Sequence, residues 1–229
     1  MRDSDRTLWQ TVMDTVGRES LEFGPYFAFQ VRHDIKHFLF TLSRYKFVTR
    51  MIDSRSETIP PSPTKKLLEL GCNEGIGTLF FAQAGLSVKA VDFDEQAVGW
   101  AGKHLGFSGV DFQLDNFLGR KYGEFDYVVS LDVIEHIETA RERDFLDTVL
   151  KNLKPGGAAF IGTPNVTAQS YASEASRAGH VNLYDQARLK GLLLSGFENV
   201  FLFGLNDEVI HTGFDPMCHY IMALACGKR

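Results

Sequence analysis

From Lys65 onward the chain alternates apolar runs with amphipathic ones in a regular order. Leu67, Leu68 and Leu70 form a short apolar run that reads as a buried strand. It stops at Gly71-Cys72-Asn73-Glu74-Gly75-Ile76-Gly77, and residues 78–84 resume with helical spacing up to Gly85. Ser87–Asp92 (SVKAVD) is a second strand, and Asp94 is placed to cap a helix over DEQAVGWAGKHL. Residues 110–115 (VDFQLD) make a third strand. Phe125–Leu131 (FDYVVSL) is a fourth, near-continuously apolar, as a strand covered by helices on both faces should be. RERDFLDTVLKNLKPGG reads as a helix ended by Pro155-Gly156-Gly157, followed by a fifth strand, AAFIGTP. After a long polar connection, residues 165–185, come a helix over 185–194, a sixth strand (ENVFLFGL), a loop (NDEVIHTGFDPMC) and a final strand (HYIMALACGK). Strands alternating with helices predict an α/β fold with a doubly wound, mostly parallel sheet.

Residues 1–55 lie outside this alternation. Residues 7–16 predict a short helix, Gly24-Pro25 breaks it, and FAFQVRHDIKHFLFTLSRYKFVTRMI follows with mixed helical spacing. The expectation is a helical cap that packs Phe27, Phe29, Phe38 and Phe47 on the core and closes as a lid. The Pro/Ser-rich stretch 54–64 reads as a linker, dividing the chain into a cap, 1–55, and a main domain, 56–229.

Composition narrows the function classes. The chain has 229 residues, 44% hydrophobic and 23% charged, which fits one large globular domain. A formal net charge of −5 gives no broad attraction to nucleic acid or to an anionic membrane. The N-terminus MRDSDRTLWQ has no apolar signal core, and no run approaches ~18 apolar residues. Cys72, Cys218 and Cys226 show no metal spacing, so the expected setting is a reducing cytoplasm.

The candidate chemistry gathers where the strands end. Glu69 is an acid at the end of the first strand, better suited to a cationic ligand than to a diphosphate. Asp92 ends the second strand about 20 residues beyond Gly71, where a carboxylate can accept hydrogen bonds from ribose hydroxyls. Phe93 can pack on a base. Asp115 and Asn116 close the third strand, and a turn-forming Asp before Asn is the plainer reading there. Asp132, Glu135 and His136 follow the fourth strand at spacing i, i+3, i+4, which a helical turn would bring to one face. His180 lies in the connection 165–185, a candidate substrate-binding insertion. Asp132, His136 and His180 are the candidate catalytic groups, the histidines because only His titrates near neutrality without large perturbation. His136 also reads as a structural histidine, and His180 as an ordinary loop residue.

The segment E-L-G-C-N-E-G-I-G resembles motif I of the class I S-adenosylmethionine-dependent methyltransferases, usually E/D-x-G-x-G-x-G. Asn73 stands where the middle glycine normally sits, and Asn tolerates the left-handed region better than most residues. L-K-P-G-G before an apolar strand also resembles the family. The resemblance covers roughly residues 60–229. It implies a Rossmann-like, seven-stranded sheet with an antiparallel last strand, and S-adenosylmethionine as methyl donor with S-adenosylhomocysteine as product. Cofactor contacts are implied for Glu69, Gly71, Cys72, Asn73, Gly75 and Gly77 around the first turn. Asp92, Phe93, Asp115, Asn116 and Leu131 would complete them.

D-x-x-E-H also looks like the E-x-x-E-H of ubiquinone-pathway O-methyltransferases and of small-RNA 3′-terminal 2′-O-methyltransferases, which hold a divalent ion. No metal is favoured by the sequence; Asp132, Glu135, His136 and His180 are the ligand set if there is one. The expected reaction is O-methylation of a small polar metabolite or sugar. N-methylation of a small molecule, RNA 2′-O-methylation and an inactive cofactor-binding module are the alternatives, with no nucleic-acid or membrane partner favoured.

Overall fold

The computed structural model describes residues 3–17, 19–52 and 64–229. The predicted linker and the boundary at residue 55 fall almost wholly outside them. Three N-terminal helices come first: α1 (Asp3–Val16), α2 (Pro25–His33) and α3 (Ile35–Ile52). Pro25 opens α2 at a position where its missing N–H costs nothing. The single stretch predicted over 27–52 is thus two helices, broken at Asp34. The alternating part runs β1 (Lys66–Leu70), α4 (Leu79–Gln83), β2 (Ser87–Asp92), α5 (Glu95–His104), β3 (Asp111–Leu114), β4 (Phe125–Leu131), α6 (Glu142–Asn152) and β5 (Leu153–Pro164). It ends α7 (Glu174–Gly179), α8 (Gln186–Leu194), β6 (Phe197–Asn206), β7 (Val209–His211) and β8 (Tyr220–Lys228).

The strands form one sheet in the order β3-β2-β1-β4-β5-β8-β6-β7. β1 to β5 pair in parallel, and β8 runs antiparallel between β5 and β6. The predicted antiparallel last strand is present, but the sheet has eight strands rather than seven. The extra one, β7, pairs with β6 inside the predicted loop and is three residues long, too short for a periodic signal. Leu153 to Gly157 also differ from expectation: they continue into β5 instead of ending a helix. Leu153 pairs with Phe125 and Ala158 with Tyr127, so Lys154 to Gly157 form a bulge with Gly156 at φ +74°.

Two apolar layers cover the sheet. Leu68 and Leu70 of β1 face a core with Phe145 and Val149 of α6 and Leu189 and Leu193 of α8. Leu67 faces the other, with Phe81 of α4 and Tyr45, Val48 and Ile52 of α3. Helix α3 therefore covers the sheet as an ordinary layer helix does. Phe27 and Phe47 are buried as expected, whereas Phe29 is 61% exposed: two residues after Phe27 on a helix, it faces the other way. Among the described residues, no helix is long and apolar enough to cross a membrane.

Candidate functional site

β1 has β2 on one side and β4 on the other, so the order in which successive strands are added reverses there, although all three run parallel. The carboxyl ends of these strands form the crevice where open α/β sheets bind ligands. The glycine turn lies at that edge. Gly71 has φ +82° and donates its N–H to Val91 O at 2.8 Å; a Cβ on it would sit 2.2 Å from a Val133 methyl. Gly77 needs its small size for a different reason, because a Cβ there would meet the Tyr45 ring of α3 at 2.3 Å. Asn73, in place of the usual glycine, does adopt the left-handed region, with φ +48°.

Asp92 ends β2 as predicted and is buried. Its Oδ2 accepts from Asn73 N–H at 2.7 Å and its Oδ1 from Asp94 N–H at 3.0 Å, so it ties the turn to the strand end. Phe93 beside it is exposed, an open ring at the crevice. Asp115 accepts from the Tyr122 hydroxyl at 3.0 Å, and Asn116 is exposed. Cys72 and Leu131 are buried. Asp94 caps α5 through Gln96 and Ala97 N–H, as its position predicted.

Glu69 is buried. One carboxyl oxygen accepts from the Thr78 hydroxyl at 2.6 Å and the other has no partner. Burial pushes its pKa up to about 7, with Asp92 adding to the rise and Thr78 and Tyr45 opposing it.

At the exit of β4 the structure departs from expectation. Asp132 does not share a helical face with Glu135 and His136. It has φ +58°, and the helical turn after it is a short one over Ile134–His136. Its carboxylate instead pairs with Arg44 of α3 at 2.8 Å. Arg44 is 2% exposed, donates to Thr41 Oγ1 at 2.9 Å, and lies over the rings of Phe40 and Tyr220. Sequence reasoning missed Arg44. Its signal was an arginine at helical spacing within the stripe Thr41, Tyr45, Val48, Ile52, the face of α3 that the structure buries, whereas Lys46 and Arg50 fall off that face.

Glu135, His136 and His180 do come together. One ligand atom from each lies within 4.8 Å of the others, and Asp132 is not among them. Glu135 accepts from the Thr163 hydroxyl at 3.0 Å. Its pKa is pushed up to about 8, first by burial and then by Asp132. His136 Nδ1 lies 2.9 Å from Gly179 O. A carbonyl only accepts, so Nδ1 carries a proton, and in the neutral tautomer Nε2 holds the lone pair that could ligate. The His180 ring stands 5.0 Å away, and burial and His136 both lower its pKa.

Among the described residues, five buried side-chain atoms lack a hydrogen-bond partner: Gln30 Oε1, Arg44 Nε, Glu69 Oε1, Glu135 Oε1 and His180 Nδ1. Gln30 lies near Tyr26, whose phenol pKa is raised by burial first and then by Asp132. Glu135 and His180 belong to one cluster and Arg44 pairs with Asp132 beside it, so three of these five atoms lie at the exit of β4, where a ligand could satisfy them.

Residues 35–201 match the family described as a methyltransferase domain. The chain belongs to that family, the class I S-adenosylmethionine-dependent methyltransferases. It is 35% identical over 111 residues to a ubiquinone biosynthesis O-methyltransferase of Caulobacter vibrioides, covering 46% of this chain and 43% of that protein. Against the same-named protein of Thiobacillus denitrificans it is 33% identical over 127 residues, 53% and 52% of the two chains. The chain thus spans about half the length of the curated relatives it matches. Among solved structures, the methyltransferase domain of bacterial CtHen1 aligns with TM-score 0.65 at 15% identity, over 83% of this chain and 100% of that one. The N-methyltransferase NodS from Bradyrhizobium japonicum, in complex with S-adenosylhomocysteine, aligns with TM-score 0.59 at 18% identity, over 83% and 88%. These two show the fold.

Proposed function

We propose that the protein is an enzyme that transfers the methyl group of S-adenosylmethionine to an oxygen of a small polar molecule. The observation that carries this reading is the edge of the sheet at β1, β2 and β4, where the glycine turn, Asp92 and exposed Phe93 stand after β1 and β2 and the Glu135, His136 and His180 cluster follows β4. In this reading Asp92 accepts from the ribose hydroxyls and Phe93 packs on the adenine, with Asp115 and Asn116 at its edge. The glycine turn, Cys72 and Leu131 line the floor. Arg44, the buried cation of the crevice, faces the carboxylate of the cofactor's amino-acid end. The acceptor oxygen attacks the methyl carbon, the carbon–sulfur bond breaks towards sulfur, and the hydroxyl proton leaves to a base.

A divalent ion fits Glu135, His136 and His180. Two of these residues carry a buried polar atom with no partner, and His136 has a free Nε2. A carboxylate and two imidazoles suit a borderline cation such as Mn²⁺ or Zn²⁺. When bound, it would lower the pKa of an acceptor hydroxyl. Without it, His180 is the candidate base: its lowered pKa leaves the imidazole neutral and able to take a proton. The relatives named ubiquinone biosynthesis O-methyltransferase support oxygen as the acceptor atom. Residues 1–55 act as the cap and 56–229 as the methyltransferase domain. Three unpaired cysteines support a cytoplasmic setting.

Calorimetric titration with S-adenosylmethionine and S-adenosylhomocysteine tests the reading. Wild type binds both, and Asp92→Ala weakens binding by tenfold or more, about 1.4 kcal/mol. Failure of wild type to bind either ligand overturns it.

A further inference from the structure

The N-terminus of α2 ends in a hydrogen-bond pattern that its own sequence does not supply. Gly24 is the capping residue and has no side chain to accept from the first turn. Pro25 has no N–H, and Ala28 N–H already donates to Gly24 O at 2.9 Å. That leaves the N–H groups of Tyr26 and Phe27. Both donate to Glu74, at 2.7 Å to Oε1 and 3.1 Å to Oε2. Glu74 belongs to the glycine turn, nearly fifty residues away, and is 2% exposed. A carboxylate at a helix N-terminus is favourable, and here it completes the donor accounting of the first turn. A Cβ on Gly24 would lie 2.2 Å from Glu74 Cδ, so a side chain there displaces the carboxylate. Ile76 of the same turn packs with Phe27 in a small apolar cluster.

The turn residue before Glu74 is Asn73, the departure from the usual glycine. Its side-chain Oδ1 accepts from Glu74 N–H at 2.6 Å, and its own N–H donates to Asp92 Oδ2 at 2.7 Å. A glycine at this position could adopt the same φ but could not make the first of these bonds. The chain of contacts therefore runs from Asp92 through Asn73 and Glu74 to the backbone of α2.

We infer that Glu74 is a latch that holds α2 over the crevice, and that Asn73 couples this latch to Asp92, so that cofactor binding and cap closure form one equilibrium. The coupling rests on the methyltransferase reading; the latch does not. Glu74 is a positioning residue, since it acts through α2 and touches no reacting atom. A ligand that fixes Asp92 stabilises the turn and with it the capped α2. By reciprocity, loosening the cap weakens the ligand. Coupling energies of this kind are detected as changes in local opening, not as a change of fold.

Hydrogen exchange of the full chain, with and without S-adenosylhomocysteine, reads both halves. Glu74→Ala removes the acceptor. Gly24→Ala pushes the carboxylate away without altering the turn, and it guards against a Glu74 variant that fails to fold. In both, without ligand, residues 25–33 exchange at least about tenfold faster while β4 and β5 are unchanged. S-adenosylhomocysteine protects this segment in wild type but not in these variants, and dissociates from them about tenfold faster. Asn73→Gly keeps the ligand-free protection and loses the ligand-induced part. Unchanged exchange of 25–33 in both Glu74→Ala and Gly24→Ala overturns the latch. Ligand-induced protection in Asn73→Gly equal to wild type overturns the coupling. If wild type binds no S-adenosylhomocysteine, the methyltransferase reading and the coupling fall together, and the ligand-free comparison still decides the latch.

Discussion

Two glutamates sit at the crevice edge of the sheet, one after each half of its centre, and their first contacts are nearly the same. Glu69 and Glu135 are both about 1% exposed, each accepts from one threonine hydroxyl, and each leaves the other oxygen without a partner. Burial raises the pKa of both, to about 7 and about 8. What differs is the next layer. Glu69 has the Tyr45 phenol and the Asp92 carboxylate near it. Glu135 has two imidazoles and the Asp132–Arg44 pair. The first setting favours a proton or a cationic ligand group; the second can share a metal ion. Identical burial thus leads to two chemistries, decided by neighbours that come from other elements.

The charge pair beside Glu135 gives the largest expected effect. Arg44 is fully enclosed, whereas the Asp132 side chain is 33% exposed. Removing the acid strands a buried cation, so Asp132→Asn should cost about 3–5 kcal/mol of stability. Arg44→Met leaves a carboxylate that water can reach, and it should cost clearly less. Urea unfolding of the two variants orders them. Equal losses would remove the asymmetry between the two residues, and a greater loss for Arg44→Met would make Asp132 the one more dependent on the pair.

Glu69 gives a pH signature with a definite sign. Its folded value, about 7, lies above the ordinary 4.5, so the folded state holds the proton more tightly. Its favourable contribution is complete below pH 4.5 and is lost as pH rises through 7. The loss is roughly 3 kcal/mol over that interval. Glu69→Gln removes the titration. The stability of wild type minus that of Glu69→Gln should therefore fall from pH 4.5 to 7.5. A flat difference would place Glu69 ionised in the folded protein.

Both glutamates were legible as candidates in the sequence, because Glu69 stands near the end of β1 and Glu135 just beyond β4, each in a recognisable motif. Their separate characters were not. The β1–turn–α4 unit, the cap at Asp94 and the position of Asp92 follow from local pattern, and the structure has them. Arg44 meets Asp132 only because α3 lies across the sheet, and Glu74 meets α2 across 47 and 48 positions of sequence. Local periodicity carries no information about such approaches. The expectation that Asp132 joins Glu135 and His136 failed for a local reason as well, since spacing i, i+3, i+4 gives one face only if the backbone is helical. The left-handed φ of Asp132 breaks that condition.

The smallest expected effect separates the two settings most directly. If the imidazoles make the difference, Glu135→Gln should weaken Mn²⁺ binding by tenfold to a hundredfold, about 1.4–2.8 kcal/mol, through loss of one anionic ligand. Glu69→Gln, a change at an equally buried glutamate, should leave Mn²⁺ affinity unchanged. Electron paramagnetic resonance of free Mn²⁺ measures both without any acceptor or cofactor present. Asp132→Asn belongs in the same series, because Asp132 is a candidate ligand by spacing and its carboxylate pairs with Arg44 rather than joining Glu135, His136 and His180. Loss of Mn²⁺ in Asp132→Asn would mean that Arg44 releases the carboxylate when metal arrives. Retention would leave Glu135, His136 and His180 as the whole protein contribution. Equal weakening in Glu69→Gln and Glu135→Gln would remove the distinction between the two sides of the crevice, and the metal site with it.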